Sequence, residues 1–205
     1  MTQPLDRSCQ ISNVGEIDQE KGEFWVENPF LMIGQGKNLS AFERNCLFLN
    51  LQGEGFLDAS FTSDVDLEAD SRSPIAADFD RDGDLDLLVG SVGGGPIRLF
   101  LNQTPQQNRI LLKLEGVKSN RSAIGSRVEI YCGGRTIYRE LFPSNGFMGL
   151  GPADWLVGIG NAEKIDTLTI RWPSGETQKF SNLPVNKTIS IREGDQKFQA
   201  ANLVN

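Results

Sequence analysis

The chain has 205 residues, of which 39 % are apolar and 23 % charged, as is usual for a globular protein. Its 20 basic and 27 acidic residues give a net charge of −7, which argues against nucleic-acid or anionic-membrane binding because both need a basic surface. The chain contains no histidine, which excludes Ser–His–Asp and Cys–His catalysis and any histidine-ligated metal.

The sequence also argues against a membrane-spanning helix, a secretory signal and a cysteine-ligated zinc site. No run of about 18 apolar residues occurs, so the sequence predicts no transmembrane helix. The N-terminal residues lack an apolar core, so it also predicts no secretory signal in this chain. The three cysteines, Cys9, Cys46 and Cys132, form no CxxC pair, which argues against a thiolate zinc site. Their spacing leaves two alternatives open, one disulfide with an odd thiol or three buried free thiols.

Composition shifts divide the chain, with a polar break at Gln103–Gln107. The first segment is irregular, has candidate strands at Glu23–Val26 and Phe30–Ile33, and receives no functional assignment. The predicted divisions are an N-terminal segment at 1–40, a repeat at 41–105, a β domain at 106–195 and a tail at 196–205.

Short apolar runs between turn residues predict strands in both larger segments. In the repeat these are Cys46–Leu51, Phe56–Phe61, Pro74–Ala77, Leu87–Gly90 and Ile97–Asn102. In the β domain they are Ile110–Leu114, Arg127–Tyr131, Thr136–Phe142, Trp155–Ile159, Thr167–Trp172, Thr177–Phe180 and Thr188–Ile191. Gly133-Gly134 is typical of a hairpin turn.

Alternation within one segment indicates which face is buried. Leu168, Ile170 and Trp172 occupy every second position and predict an apolar face. No window of the β domain keeps a helical period over three turns, so the sequence predicts an all-β fold. Trp155 and Trp172 are accordingly expected in the core rather than on a sugar-stacking platform. Asn120 lies in a glycosylation sequon, but a structural role in a turn is the favoured interpretation.

The strongest chemical pattern is an acidic loop in the repeat. Five aspartates alternate with other residues across nine positions, and Gly83 provides a tight turn at the sixth position. Two like charges 4 Å apart repel by about 4 kcal/mol at an effective dielectric constant near 20. A bound cation would offset this repulsion. Oxygen-only ligands in such a loop favour Ca²⁺ over Mg²⁺. The predicted ligands are the side chains of Asp78, Asp80, Asp82 and Asp86, together with the main-chain carbonyl of Asp84.

This loop begins like an EF-hand loop but ends differently. Position 12 is Val89, where an EF-hand needs a bidentate glutamate, and short apolar runs replace the flanking helices. The sequence therefore predicts a calcium loop between two strands. The alternative is a solvated acidic turn without a metal.

The segment Ala77–Leu88 resembles the calcium loop of FG-GAP/VCBS repeats. The preceding Leu47–Asn50 and Gly55–Asp58 resemble the outer strands of such a repeat, and Ile97–Asn102 resembles the start of the next one. The resemblance implies a blade of an integrin-like propeller. One repeat cannot close a propeller, which needs about four or more blades.

The β domain resembles the ASPIC/UnbV domain of cartilage-acidic-protein-like proteins. The resemblance is carried by Leu114–Gly116, Ser119–Val128, Val157–Gly160 and Arg171–Gly175. Gly146–Leu150 departs from the family pattern at its polar end. The resemblance implies a secreted or cell-surface protein, and a partial propeller-blade-like calcium repeat packed on a C-terminal antiparallel β-sandwich or barrel.

These observations favour a non-catalytic calcium-binding β module that binds a protein or carbohydrate ligand, as in adhesion, with a structural Ca²⁺. One alternative is an enzyme or accessory subunit, which would show exposed carboxylates about 5–9.5 Å apart in an acidic cleft. Another is a self-assembling structural protein, a homo-oligomer that covers open strand edges.

Overall fold

The computed structural model describes residues 44–51, 53–67, 69, 71–91, 96–144 and 149–203. These residues form strands and no helix, which confirms the predicted all-β class. The candidate strands Glu23–Val26 and Phe30–Ile33, and Cys9, lie outside the described residues.

Thirteen strands follow one another along the described part of the chain. Their bounds are β1 (Phe48–Asn50), β2 (Phe56–Asp58), β3 (Ser71–Ala77), β4 (Asp86–Ser91), β5 (Arg98–Phe100), β6 (Asn108–Glu115), β7 (Arg127–Cys132), β8 (Arg135–Glu140), β9 (Trp155–Gly160), β10 (Lys164–Arg171), β11 (Thr177–Pro184), β12 (Lys187–Arg192) and β13 (Gln199–Asn202). The last of them lies in the segment that the sequence predicts as a tail.

The chain divides into two compact units. One extends to Arg72 and includes Val89–Arg98, and the other comprises Ser73–Leu88 and the chain from Leu99 onward. The acidic loop therefore belongs to the same unit as β6 to β13. The strands β3, β4 and β5 form a three-stranded sheet in that order.

The first unit contains the hairpin of β1 and β2. These strands pair antiparallel, with Leu49 opposite Leu57. The side chain of Asn50 accepts a hydrogen bond from the main-chain N–H of Gly53 at 2.9 Å, which closes the turn. Asn and Gly are the expected residues here because one caps the turn and the other adopts a positive φ, here 94°.

Two four-stranded sheets build the sandwich of the second unit. Their strand orders are β11-β10-β7-β8 and β13-β12-β6-β9, and neither closes into a barrel. Neighbouring strands pair antiparallel except β6 and β12, which run parallel with Ile110 opposite Lys187 and Leu112 opposite Ile189. The domain is thus a mixed rather than a purely antiparallel sandwich.

The core lies between these sheets and follows the predicted alternation. Leu168, Ile170 and Trp172 are all buried, which confirms the predicted apolar face. Trp155 packs at the edge of the same core. The other fully buried large side chains are Ile110, Leu112, Ile130, Leu141, Ile159, Ile165, Leu183, Ile189 and Ile191.

Two turns of this domain match their predicted roles. Gly133 and Gly134 join β7 to β8 with φ values of 54° and 75°, as a two-residue type I′ hairpin requires. The side chain of Asn120 accepts a hydrogen bond from the N–H of Ile124 at 2.9 Å and donates one to its carbonyl at 2.8 Å. Asn120 therefore has the predicted structural role in a turn.

Candidate metal centre

The acidic loop connects β3 to β4, and its own side chains shape it. The carboxylate of Asp80 accepts a hydrogen bond from the N–H of Asp82 at 3.2 Å, and that of Asp82 accepts one from Asp84 at 3.0 Å. Aspartate favours such bonds to the residue two positions on, and these bonds turn the chain repeatedly. Gly83 has a φ of 90°, which glycine adopts without a steric cost.

Asp78 and Asp86 close the loop from its two ends. Asp78 Oδ2 accepts a hydrogen bond from the N–H of Gly83 at 3.0 Å. Asp86, only 2 % exposed, accepts one from the N–H of Phe79 at 2.8 Å and one from Asn102 at 2.9 Å. The second bond attaches the loop to the chain that follows β5.

Three of the five predicted ligands converge. Carboxylate oxygens of Asp78, Asp80 and Asp86 all lie within 4.8 Å of one another, a grouping that could hold one metal ion. The carboxylate of Asp82 does not belong to this group and instead caps the N–H of Asp84. The ligand predicted at Asp84 is its main-chain carbonyl, which this grouping of carboxylates does not test.

Two carboxylate oxygens of the loop are left without a protein partner. Asp78 Oδ1 and Asp84 Oδ1 are buried and, among the described residues, accept no hydrogen bond. A buried carboxylate oxygen without a partner is costly. A hard cation is the group that these oxygens fit, since it binds carboxylates directly and neutralises their charge.

Burial and like charges act together on Asp84. Burial, followed by the charges of Asp82 and Asp86, raises the pKa of Asp84 to about 6. The ionised form of this carboxylate is therefore less favoured in the folded chain than in an ordinary solvated aspartate. A bound cation would remove that penalty by supplying the missing positive charge.

A cation of the protein itself already contacts the loop, and the sequence does not reveal it. Arg109 on β6 donates from Nη2 to the main-chain carbonyl of Asp82 at 2.7 Å and from Nη1 to Gln106 Oε1 at 3.0 Å. Gln106 in turn donates to the same Asp82 carbonyl at 3.0 Å. Only the three-dimensional fold brings this arginine to the loop, and no local motif marks it.

Arg109 packs directly over Gly83. A Cβ at that position would lie 2.5 Å from Cζ of the arginine, so the close approach requires glycine. Because the guanidinium donates to a main-chain carbonyl, it does not occupy the carboxylate oxygens of Asp78, Asp80 and Asp86. Arg109 is therefore a positioning residue for the loop.

The cysteines contribute no ligand to this centre. Cys46 and Cys132 are both free thiols. Cys132 is buried, but Cys46 is exposed, so the expectation of buried thiols is wrong for Cys46.

Comparison with known proteins supports part of the sequence interpretation. Residues 116–198 match the protein family described as ASPIC and UnbV, which confirms the predicted resemblance of this segment. The match spans β7 to β12 and leaves the acidic loop outside it. No curated protein sequence matches the chain. No helix long and apolar enough to cross a membrane occurs among the described residues.

Proposed function

We propose that this chain is a non-catalytic β module in which a structural Ca²⁺ stabilises the acidic loop, and that the module binds a protein or carbohydrate ligand. The loop would then be a single FG-GAP/VCBS-like repeat that precedes the ASPIC/UnbV segment. The ligand class rests on this resemblance to cartilage-acidic-protein-like proteins, which also suggests a role in adhesion.

One observation carries the calcium proposal. The carboxylates of Asp78, Asp80 and Asp86 converge within 4.8 Å, and one oxygen of Asp78 is buried without a hydrogen-bond donor among the described residues. Water-exposed acidic turns do not need to bury such an oxygen. Charge neutralisation by a bound cation accounts for both the convergence and the missing partner.

The donor set favours Ca²⁺ over other cations. Every candidate ligand is an oxygen, and the chain has no histidine. Ca²⁺ accepts six to eight oxygens in flexible arrangements, whereas Mg²⁺ demands near-ideal octahedral geometry and usually keeps several waters. Asp78, Asp80 and Asp86 would hold the ion, and Asp84 has a further buried oxygen nearby in sequence. The ion would supply positive charge and rigidity.

Thermal unfolding of the chelated protein tests this proposal. Ca²⁺ at a hundredfold excess over Kd should stabilise the fold by about 2.7 kcal/mol, and Mg²⁺ at the same concentration by much less. The variant Asp80→Asn should lose this stabilisation, because it removes a charge of the trio while an amide oxygen still caps Asp82. The control variant Asp195→Asn removes an exposed carboxylate far along the chain and should respond to Ca²⁺ like the native chain. An equal response to both ions, or none, contradicts the proposal.

A second candidate function is self-association through the first unit. The hairpin has exposed apolar side chains on both faces, with Phe56 70 % exposed and Leu57 53 % exposed. A two-stranded sheet is marginal alone, and covering both faces requires further protein. A second copy of the chain would supply it. Light scattering over a concentration series tests this, and a strictly monomeric chain that stays folded contradicts it.

A further inference from the structure

The sheet β11-β10-β7-β8 has an outer face that the core does not use. On β7, Val128 and Ile130 point into the core, so Arg127 and Glu129 project outward. On β10, Ile170 points inward and Arg171 outward. Alternation along each strand thus assembles a polar array on this face.

The register of the sheet places two arginines side by side on this face. Arg171 lies directly opposite Arg127 in the antiparallel pair of β10 and β7. Like charges at directly opposed positions destabilise a sheet. Arg127 has an ion-pair partner, with Nε 3.3 Å from Glu140. In the described part of the chain, no hydrogen bond or ion pair engages the side chain of Arg171.

A groove of about 530 Å³ lies over these arginines. Three arginines and two glutamates line it together with polar and aromatic side chains, so its charged lining is net positive in a chain of net charge −7. Thr177 lies opposite Arg171 and Thr169 precedes it by two residues, so both hydroxyls share its face. Tyr138, 68 % exposed, borders the groove.

We propose that this groove binds a tetrahedral oxyanion, a sulfate or phosphate group, between Arg127 and Arg171. Guanidinium groups present forked N–H donors that match such oxygens, and the bonds are strengthened by charge. The three terminal oxygens of a sulfate or phosphate ester suit two guanidinium groups and a threonine hydroxyl better than the two oxygens of a carboxylate do. The exposed ring of Tyr138 offers an apolar surface to the group that carries the anion.

An oxyanion would also resolve the electrostatic problem of the face. Its negative charge would lie between the guanidinium groups of Arg127 and Arg171 and offset their repulsion. It would also give Arg171 the partner that it lacks among the described residues. This proposal does not depend on the calcium loop, because none of the residues that line the groove belongs to that loop.

Titration of the full chain with sodium sulfate or sodium phosphate tests the proposal. The titration is followed by ¹⁵N–¹H NMR, including the arginine Nε–H signals, without Ca²⁺ and with ionic strength held constant by sodium chloride. We expect saturable shifts at the strand positions around Arg127 and Arg171. The variant Arg171→Gln should bind sulfate or phosphate at least about tenfold more weakly, since it loses a charge-assisted contact. Arg192→Gln removes an exposed arginine from the other sheet and should bind like the native chain.

Thermal unfolding of the same variants separates binding from folding. Arg171→Gln relieves a like-charge pair, so without the anion its midpoint should equal or exceed that of the native chain. Methyl sulfate and methyl phosphate then distinguish the two sources of the anion by their relative affinities. Shifts that do not saturate, that chloride reproduces, or that persist unchanged in Arg171→Gln overturn the proposal.

Discussion

Ser119 donates two hydrogen bonds to the buried carboxylate of Glu193, one from its main-chain N–H at 2.7 Å and one from its hydroxyl at 2.8 Å. The N–H groups of Val117 and Lys118 donate to the same carboxylate at 2.6 and 2.7 Å, and the hydroxyl of Ser174 donates to it as well. Glu193 follows β12, and its donors lie in the turns after β6 and after β10. One side chain therefore holds three connections of the sandwich together.

The hydrogen bonds decide the charge state of this carboxylate. Burial alone would raise the pKa of Glu193, but the donors from Ser119, Ser174 and Val117 together outweigh it and lower the pKa to about 2. The carboxylate is therefore ionised in the folded protein at neutral pH. A buried charge with this many donors is a structural anchor of the domain.

Replacing Glu193 by glutamine should destabilise the protein strongly. The amide keeps the shape but presents an NH₂ group to donors that need an acceptor, and it removes the charge. We expect a loss of about 2 kcal/mol or more in the free energy of unfolding, measured with urea. As a control, Glu176→Gln removes a carboxylate that forms a surface ion pair with Lys118, at 3.3 Å between Oε2 and Nζ. That variant should change stability by less than about 1 kcal/mol, and equal effects of both variants would argue against an anchor role for Glu193.

Acidification should destabilise the native chain through the same group. The pKa of Glu193 is lowered on folding, so the unfolded chain binds its proton at a higher pH than the folded chain does. Its contribution to stability is complete above the ordinary glutamate pKa and is lost as the pH falls from there toward about 2. Urea unfolding at several pH values should show a steeper loss over this window for the native chain than for Glu193→Gln. Parallel pH profiles would show that other carboxylates govern acid unfolding.

Local contacts explain how much of the acidic loop the sequence predicts. The bonds that shape it join Asp80 to Asp82, Asp82 to Asp84 and Asp78 to Gly83, all within five residues. Alternating aspartates and one glycine suffice to encode such a turn. The strand alternation of β10 is local in the same way, and so is the glycine hairpin.

Contacts between distant segments explain what the sequence does not predict. Arg109 meets the Asp82 carbonyl across 27 residues, and Glu193 meets Ser119 across 74. The family-like motifs contain Ser119 and Ser174 but not the glutamate that joins them. The parallel pairing of β6 with β12 is likewise not predicted, because the apolar pattern of each strand does not specify which other strand it pairs with. The short strand β13 lacks an apolar alternation because all four of its residues are exposed.

The two described thiols should differ sharply in reactivity. Cys46 is exposed, whereas Cys132 is buried in the core, and burial raises the pKa of the Cys132 thiol despite the opposing effect of Arg135. In a chain carrying Cys9→Ser, a disulfide reagent such as DTNB should modify one thiol rapidly in the folded protein and the second only after unfolding. Adding Cys46→Ser should abolish the rapid phase. Two rapid phases would show that Cys132 is accessible in the folded state.

The packing of Arg109 over Gly83 predicts an asymmetry between two glycines of the same conformation. Gly83 and Gly175 both have a φ of 90°, but a Cβ at Gly175 would meet no atom within 4 Å, whereas one at Gly83 would collide with the Arg109 guanidinium. Gly175→Ala should therefore lower the free energy of unfolding only by the strain of a left-handed backbone, about 1 kcal/mol.

Gly83→Ala should lower the free energy of unfolding by the same amount. In addition, it should break the hydrogen bonds from Arg109 to Asp82 and Gln106. We expect a further loss of about 1–3 kcal/mol in urea unfolding of the chelated protein, since these bonds involve a charged donor. In an Arg109→Ala background the guanidinium is absent, so the extra cost of Gly83→Ala should disappear and the two alanine variants should become equivalent. If the extra cost persists in that background, it arises from the loop backbone and not from the contact with Arg109.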